Sequence, residues 1–292
     1  MGEVCPSMIQ PVLQGKAFLT DVEIARKEKD GFRLWWLGQS GYLLQWQNQH
    51  LLLDPYLSDS LTKKYFQTDK PHIRMTEIVV SPYQLNFIDG ATSSHNHTDH
   101  LDGETLIPLM EVNSEIKIIV PTANKFFASQ RLQTSPENLI GLNDNQSTAI
   151  GGFQVSAVPS AHEELEQDKD GNHRYLGYLI EFDDWTVYHS GDTMLYDGIV
   201  DILKSWSIDV ALLPINGSVP ARRVSGNLDG KEAVELAKSI GAKLVIPCHY
   251  QMFTFNTVST ELFVKSAETT GQAYQLLQAG ERWTSDQLPS RV

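Results

Sequence analysis

Residues 95–100 read His95-Asn96-His97-Thr98-Asp99-His100, so four side chains of metal-ligand type fall within six consecutive positions. On an extended stretch His95 and His97, two apart, project to the same side, while Asp99 and His100 follow on the turn and face a second position. One loop can therefore begin two metal sites. A solvated histidine-rich turn, or a single structural metal, is the plainer alternative. The lead-in Ile88-Asp89-Gly90-Ala91-Thr92-Ser93-Ser94 reads as a strand ending in a loop, where catalytic groups concentrate.

Four ligands cannot close two sites, so the remainder must come from elsewhere in the chain. His162 follows the run Phe153 to Val158, Asp192 follows Trp185 to His189, and His249 follows Leu244 to Ile246. Each stands just beyond an apolar, β-branched stretch, where a sheet delivers side chains to one edge. Alone, each reads as an ordinary loop residue. Their shared position behind strands makes them candidate ligands.

Strands are expected at Phe32 to Leu37, Gly41 to Trp46, Leu51 to Leu53, Ile116 to Val120, Phe153 to Val158, Tyr175 to Phe182, Trp185 to His189 and Val210 to Leu213. Helices are expected at Thr20 to Asp30, Gly103 to Val112, Thr122 to Leu132, Gly230 to Ile240 and Thr260 to Thr269. Two runs of strands, each with its own helices, suggest two sheets face to face, covered outside by helices. Residues 1–31 read as an N-terminal helical extension packed on a body spanning 32–292.

With 41% hydrophobic and 20% charged residues, no repeat and no Pro/Gly/Ser-rich linker, the chain reads as one globular body. Its formal net charge of -13 argues against a broad nucleic-acid footprint. Cys5 and Cys248 are too far apart in sequence to form a disulfide framework, and Cys248 is expected to point into the core. The opening Met1-Gly2-Glu3-Val4-Cys5-Pro6 has neither a basic n-region nor an apolar h-region, so cytoplasmic residence is the expectation, with no membrane partner. Association with further copies of the chain stays open.

The pattern H-x-H-x-D-H followed by isolated His, Asp and His behind later strands resembles the metallo-β-lactamase superfamily of dimetal hydrolases, from about Phe32 to Trp283. Within it, the stretches Leu34 to Gly41, Tyr188 to Asp192 and Val245 to Tyr250 are similar to the L-ascorbate-6-phosphate lactonase branch. The form S-H-N-H-x-D-H-L-D, from Ser94 to Asp102, is shared with the N-acylphosphatidylethanolamine phospholipase D branch. The resemblance implies an α/β fold, the αββα four-layer sandwich. It also implies that His95, His97 and His162 hold one metal, that Asp99, His100 and His249 hold another, and that Asp192 bridges them. Asp54 matches an acidic position beneath the metal loop; it orients a ligating histidine, or else is a turn aspartate before Pro55. His189 supports Asp192 from behind or is a plain strand histidine.

Two divalent ions, Zn²⁺ or Mn²⁺, are the expected cofactors. A hydroxide held between them would be a nucleophile at neutral pH, with Asp99 orienting it and receiving a proton. The expected reaction is hydrolysis of a small anionic substrate, a sugar-derived lactone first. A phosphodiesterase of the phospholipase or nuclease type is the alternative, and a non-catalytic metal-binding scaffold the competing class. Arg222 and Arg223 are placed to clamp a phosphate or carboxylate, or form a solvated basic loop. Tyr250 is a candidate pocket wall. The acidic loop from Glu163 to Asp170 reads as a solvated flap.

Overall fold

A computed structural model describes residues 8–289, so Cys5 and the opening hexapeptide lie outside the described residues. One sheet gathers β1 (Phe32–Gly38), β2 (Gly41–Trp46), β3 (Gln49–Leu53), β4 (Gly90–Thr92), β5 (Lys117–Pro121), β6 (Leu139–Leu142) and β13 (Arg282–Thr284), in the order β13-β1-β2-β3-β4-β5-β6. The second gathers β7 (Ser147–Ile150), β8 (Phe153–Pro159), β9 (Leu176–Phe182), β10 (Trp185–His189), β11 (Val210–Pro214) and β12 (Leu244–Cys248), in the order β12-β11-β10-β9-β8-β7. Pairing is antiparallel from β13 to β3 and parallel from β3 to β6. In the second sheet β7 to β10 are antiparallel and β10 to β12 parallel.

The strands read as nearly continuous apolar runs because both of their faces are buried. Phe32, Leu34 and Trp36 of β1, with Tyr42, Leu44, Leu51 and Leu53, face the second sheet and its Tyr178, Ile180 and Val187. Their alternates Trp35, Leu37, Leu43 and Leu52 join a separate core with the helices on the outer face. Those helices include α1 (Lys16–Ala25), α3 (Gly103–Val112) and α4 (Lys125–Arg131); α2 (Ser60–Tyr65) lies toward the loop edge. α5 (Ile199–Leu203), α6 (Gly230–Ser239) and α7 (Glu261–Thr270) complete the other outer layer, with Ala233, Val234 and Phe263 packed in the core of the second sheet. The expected sandwich of two sheets between helices is therefore the observed architecture.

Local signals fix several ends. Asp229 caps α6 by accepting from Lys231 N and Glu232 N, both at 2.8 Å, while Glu232 accepts from Asp229 N at 2.9 Å. The first helix starts earlier than expected, at Lys16 after Gly15 in a positive-φ conformation (52°), and it ends at Ala25. Arg26 is drawn to Glu23 at 2.9 Å, and Arg33 reaches back to Glu28, so the expected last turn becomes a tight connection into β1. α1 seats Phe18 on Trp35, whose indole donates to Asp21 at 2.8 Å.

His50 on β3 is fully enclosed, 3.4 Å from the Arg26 guanidinium and against the Phe87 ring. Burial, helped by the Arg26 charge, pushes its pKa down from 6.5 to about 3. The unfolded chain therefore takes up this proton first. The contribution of His50 to stability is complete above about pH 6.5 and is lost as pH falls from there toward about 3. In denaturant melts between pH 7 and about 4.5, His50→Gln should remove up to about 2 kcal/mol of the acid-induced loss. An unchanged slope would contradict this assignment.

Candidate metal centre

Six connections leave the sheets at the same edge, beyond the carboxyl ends of β1, β3, β4, β8, β10 and β12, and they carry Gln39, Asp54, residues 95–100, His162, Asp192 and His249. This is the edge at which open α/β sheets present their ligand sites. Gly191 lets two of these loops meet: it adopts φ 59°, and a Cβ there would lie 2.4 Å from the Ser94 side chain. Gln39, Asp54 and His249 also hold positive φ (52°, 40° and 65°), so backbone strain concentrates at the site.

The ligand atoms of His95, His97 and His162 lie within 4.8 Å of one another, as do those of Asp99, His100 and His249, and those of His95, His100 and Asp192. Asp192 Oδ1 is 2.7 Å from His249 Nε2 and 3.3 Å from His100 Nε2, and its Oδ2 is 3.4 Å from His162 Nε2. The seven residues singled out as metal ligands are thus brought together, with Asp192 between the two halves.

Three of the imidazoles are held from behind. His100 Nδ1 is 2.6 Å from Asp54 Oδ2, His162 Nδ1 donates to the Gly226 carbonyl at 2.7 Å, and His95 Nδ1 is 3.0 Å from Ser94 Oγ. With Nδ1 engaged, Nε2 is free to face inward. The Nε2 atoms of His95, His100 and His249, with Asp192 Oδ1, are buried and have no hydrogen-bond partner outside this cluster. Buried polar atoms are ordinarily satisfied, so a convergent set of unsatisfied nitrogen and carboxylate donors fits divalent cations.

The carboxylates and imidazoles shift one another. Burial alone would raise Asp192, but His249, His100 and His162 hold its carboxyl well below the usual range. Burial alone would lower His100, but Asp192 and Asp99 reverse this and hold it well above. Desolvation, then the neighbouring His162, pushes His97 down to about 4, so its ring is neutral at pH 7.

Asp54 is the orienting carboxylate and is fully buried. Besides His100, it accepts from Ser94 N at 2.9 Å, from Thr92 Oγ1 at 3.2 Å and from the Ser94 hydroxyl. His189 is linked to Ser40 rather than to Asp192: its Nε2 donates to the Ser40 carbonyl at 2.9 Å. It therefore steadies the turn that carries Gln39.

Gln39 is the functional residue that ligand-type patterns pass over. Its Nε2 donates to Asp99 Oδ2 at 2.8 Å and lies 3.1 Å from His249 Nδ1. Its carbonyl accepts from His249 N and from the Trp36 indole, both at 3.1 Å. A glutamine in a turn has no metal signature; its position behind β1, at the same edge as the ligands, was the available signal. Tyr175 was likewise missed, and its ring packs 5.2 Å from His95 and 5.5 Å from His162.

Two expectations need correction. Tyr250 does not wall the site: it is buried against the Trp36 ring at 4.4 Å, and its hydroxyl is bonded to the Leu277 carbonyl. Arg222 and Arg223 do not form a clamp. Arg222 donates to the Asn216 carbonyl at 2.7 Å and to Asn256 Oδ1 at 3.0 Å, whereas Arg223 lines the cleft but is paired with Asp69. Arg223 adopts a left-handed conformation, and the two guanidinium groups go to different partners. Cys248 is buried as expected, and burial pushes its thiol well up, away from nucleophile chemistry.

The centre forms the floor of a cleft of about 490 Å³. Leu61, Lys64, Tyr65, His72 and Phe253 line it, as do Ser218, Pro220, Arg223 and Ser225. No helix among the described residues is long and apolar enough to cross a membrane.

A family model for the beta-lactamase superfamily domain matches residues 33–249. Over 255 residues the chain is 32% identical to a UPF0173 metal-dependent hydrolase of Desulforamulus reducens, covering 85% of this chain and 98% of the relative. Its fold is similar to that of a protein from Veillonella parvula described as a possible metal-dependent hydrolase, with TM-score 0.70, 18% identity and coverage of 87% and 100% of the two chains. It is also similar to the metallo-beta-lactamase fold protein YhfI of Bacillus subtilis, with TM-score 0.64, 20% identity and coverage of 88% and 100%. Fold, edge-mounted ligand loops and family match agree: the chain belongs to the beta-lactamase superfamily and, within it, to the UPF0173 metal-dependent hydrolase family.

Proposed function

We propose that this chain is a hydrolase that uses two divalent ions, Zn²⁺ or Mn²⁺, to open a small anionic ester, with a sugar-derived lactone as the first substrate class. The observation that carries the reading is the convergence of His95, His100 and His249 Nε2 on Asp192 Oδ1, all buried and without partners outside the cluster, at the floor of an open cleft. His95, His97 and His162 would hold one ion, Asp99, His100 and His249 the other, and Asp192 would serve both. Divalent ions bound there would act as Lewis acids and bring the pKa of coordinated water from about 15.7 to about 7.

The chain's own residues do the rest. Asp99 faces the cleft with one carboxylate oxygen pinned by Gln39, which leaves the other to accept a proton at the reacting centre. Asp54 keeps the His100 ring from rotating, and the Gly226 carbonyl does the same for His162. The open cleft suits a small soluble substrate.

The reading is tested with metal-loaded protein on a phosphorylated sugar lactone and on bis(p-nitrophenyl) phosphate, side by side. Chelator-sensitive lactone opening with the larger kcat/KM is expected. Turnover of the phosphodiester alone would transfer the assignment to phosphodiesterase chemistry. No turnover of either by the metal-loaded protein would favour a scaffold.

A further inference from the structure

We propose that Lys64 recognises the anionic group of the substrate, a single carboxylate or phosphate attached to the ester. The inference rests on the hydrolase reading above and names the contact that selects the substrate class.

Lys64 lines the cleft from α2, and its Nζ lies 3.0 Å from Thr98 Oγ1. Thr98 stands between His97 and Asp99 in the metal loop, so the ammonium is held next to the reacting centre. Its placement is built rather than incidental. Ser60 at the start of α2 donates to Asp102 at 2.9 Å, and Lys63 pairs with Glu104 at 2.6 Å. Asp102 also caps α3 and accepts from Thr105 at 2.5 Å, so the helix bearing Lys64 is tied to the end of the metal loop.

Charge partners single out the same residue. Lys63 has Glu104, Arg223 has Asp69, and Lys70 donates to the Arg223 carbonyl, joining two loops at the cleft. Lys64 has a neutral hydroxyl and, 5.2 Å away, the Tyr65 ring, and among the described residues it forms no ion pair. An ammonium beside a hydroxyl, in a partly enclosed cleft, attracts an anion more strongly than one already matched by a carboxylate. As a compact point charge it accepts either carboxylate or phosphate, without the planar geometry that an arginine pair would impose. Next to it the Tyr65 ring packs on His72 at 4.5 Å, giving the substrate's neutral body a flat surface.

Three 4-nitrophenyl esters with the same leaving group test this: the neutral acetate, the hydrogen succinate, and an ester carrying a phosphate. Lys64→Ala should cut the preference for anionic over neutral ester in kcat/KM by about tenfold, mainly through KM, and Lys64→Arg should restore most of it. Lys27→Ala, which removes an exposed charge that does not line the cleft, should leave the preference intact. A loss confined to the succinate ester or to the phosphate ester identifies which anion the site takes. Calorimetric titration of succinate and of inorganic phosphate reads the same site without turnover, and at least one of them should bind about tenfold more weakly to Lys64→Ala than to wild type. Lys64-dependent binding without ester hydrolysis would leave this proposal standing and overturn the hydrolase reading. Equal preference and equal anion binding in wild type and Lys64→Ala would overturn the proposal itself.

Discussion

Asp192→Ala is expected to lower hydrolysis on the order of a thousandfold, and metal content from two equivalents to one or fewer. This carboxylate reaches three imidazoles drawn from three different loops, at 2.7, 3.3 and 3.4 Å, and is only 4% exposed. Without it the two halves of the centre lose their shared anion. Asp192→Asn keeps the volume and removes the charge, so circular dichroism should remain native while bound metal, read by plasma mass spectrometry, falls. Full metal content and wild-type turnover in either variant would remove Asp192 from the site.

Asp54→Ala should be the most destabilising single change near the centre. It leaves Ser94 N, Thr92 Oγ1 and His100 Nδ1 without their acceptor in a fully buried pocket. Each orphaned group costs about 1–3 kcal/mol, and together a loss of about 3–5 kcal/mol is expected, lowering Tm by about 10 °C. With His100 no longer oriented, metal affinity should also fall by about 10–100-fold in chelator competition. Asp54→Asn should recover part of the stability but not the affinity, because an amide is a poorer acceptor for the imidazole N–H. A Tm within about 2 °C of wild type with intact affinity would assign Asp54 to the turn before Pro55 alone.

Much of the fold was legible because burial on both faces wrote long apolar runs into β1, β2, β9 and β10. The short elements were not legible. β6, β7 and β13 are three or four residues long, and they are strands only because a partner from elsewhere in the chain pairs with them. α2 carries one buried residue, Leu61, and so writes almost no apolar period. At the site, the ligand types and their places behind strands could be read directly. The work of Gln39 could not, since it depends on a turn that meets His249 only in three dimensions. The arginine clamp failed for the complementary reason: adjacency in sequence says nothing about where two long side chains point once one residue takes a left-handed turn.

The central claim is that one loop and three strand ends build a two-ion site. Its most direct measurement is a calorimetric titration of chelator-stripped protein with Zn²⁺ and with Mn²⁺, with hydrolysis assayed at each point. Two equivalents bound per chain are expected for at least one of these ions, with activity rising as the second site fills and both equivalents lost from a His97→Ala, His249→Ala double variant. Stoichiometric binding of neither ion, or hydrolysis already complete in the stripped protein, would contradict the account.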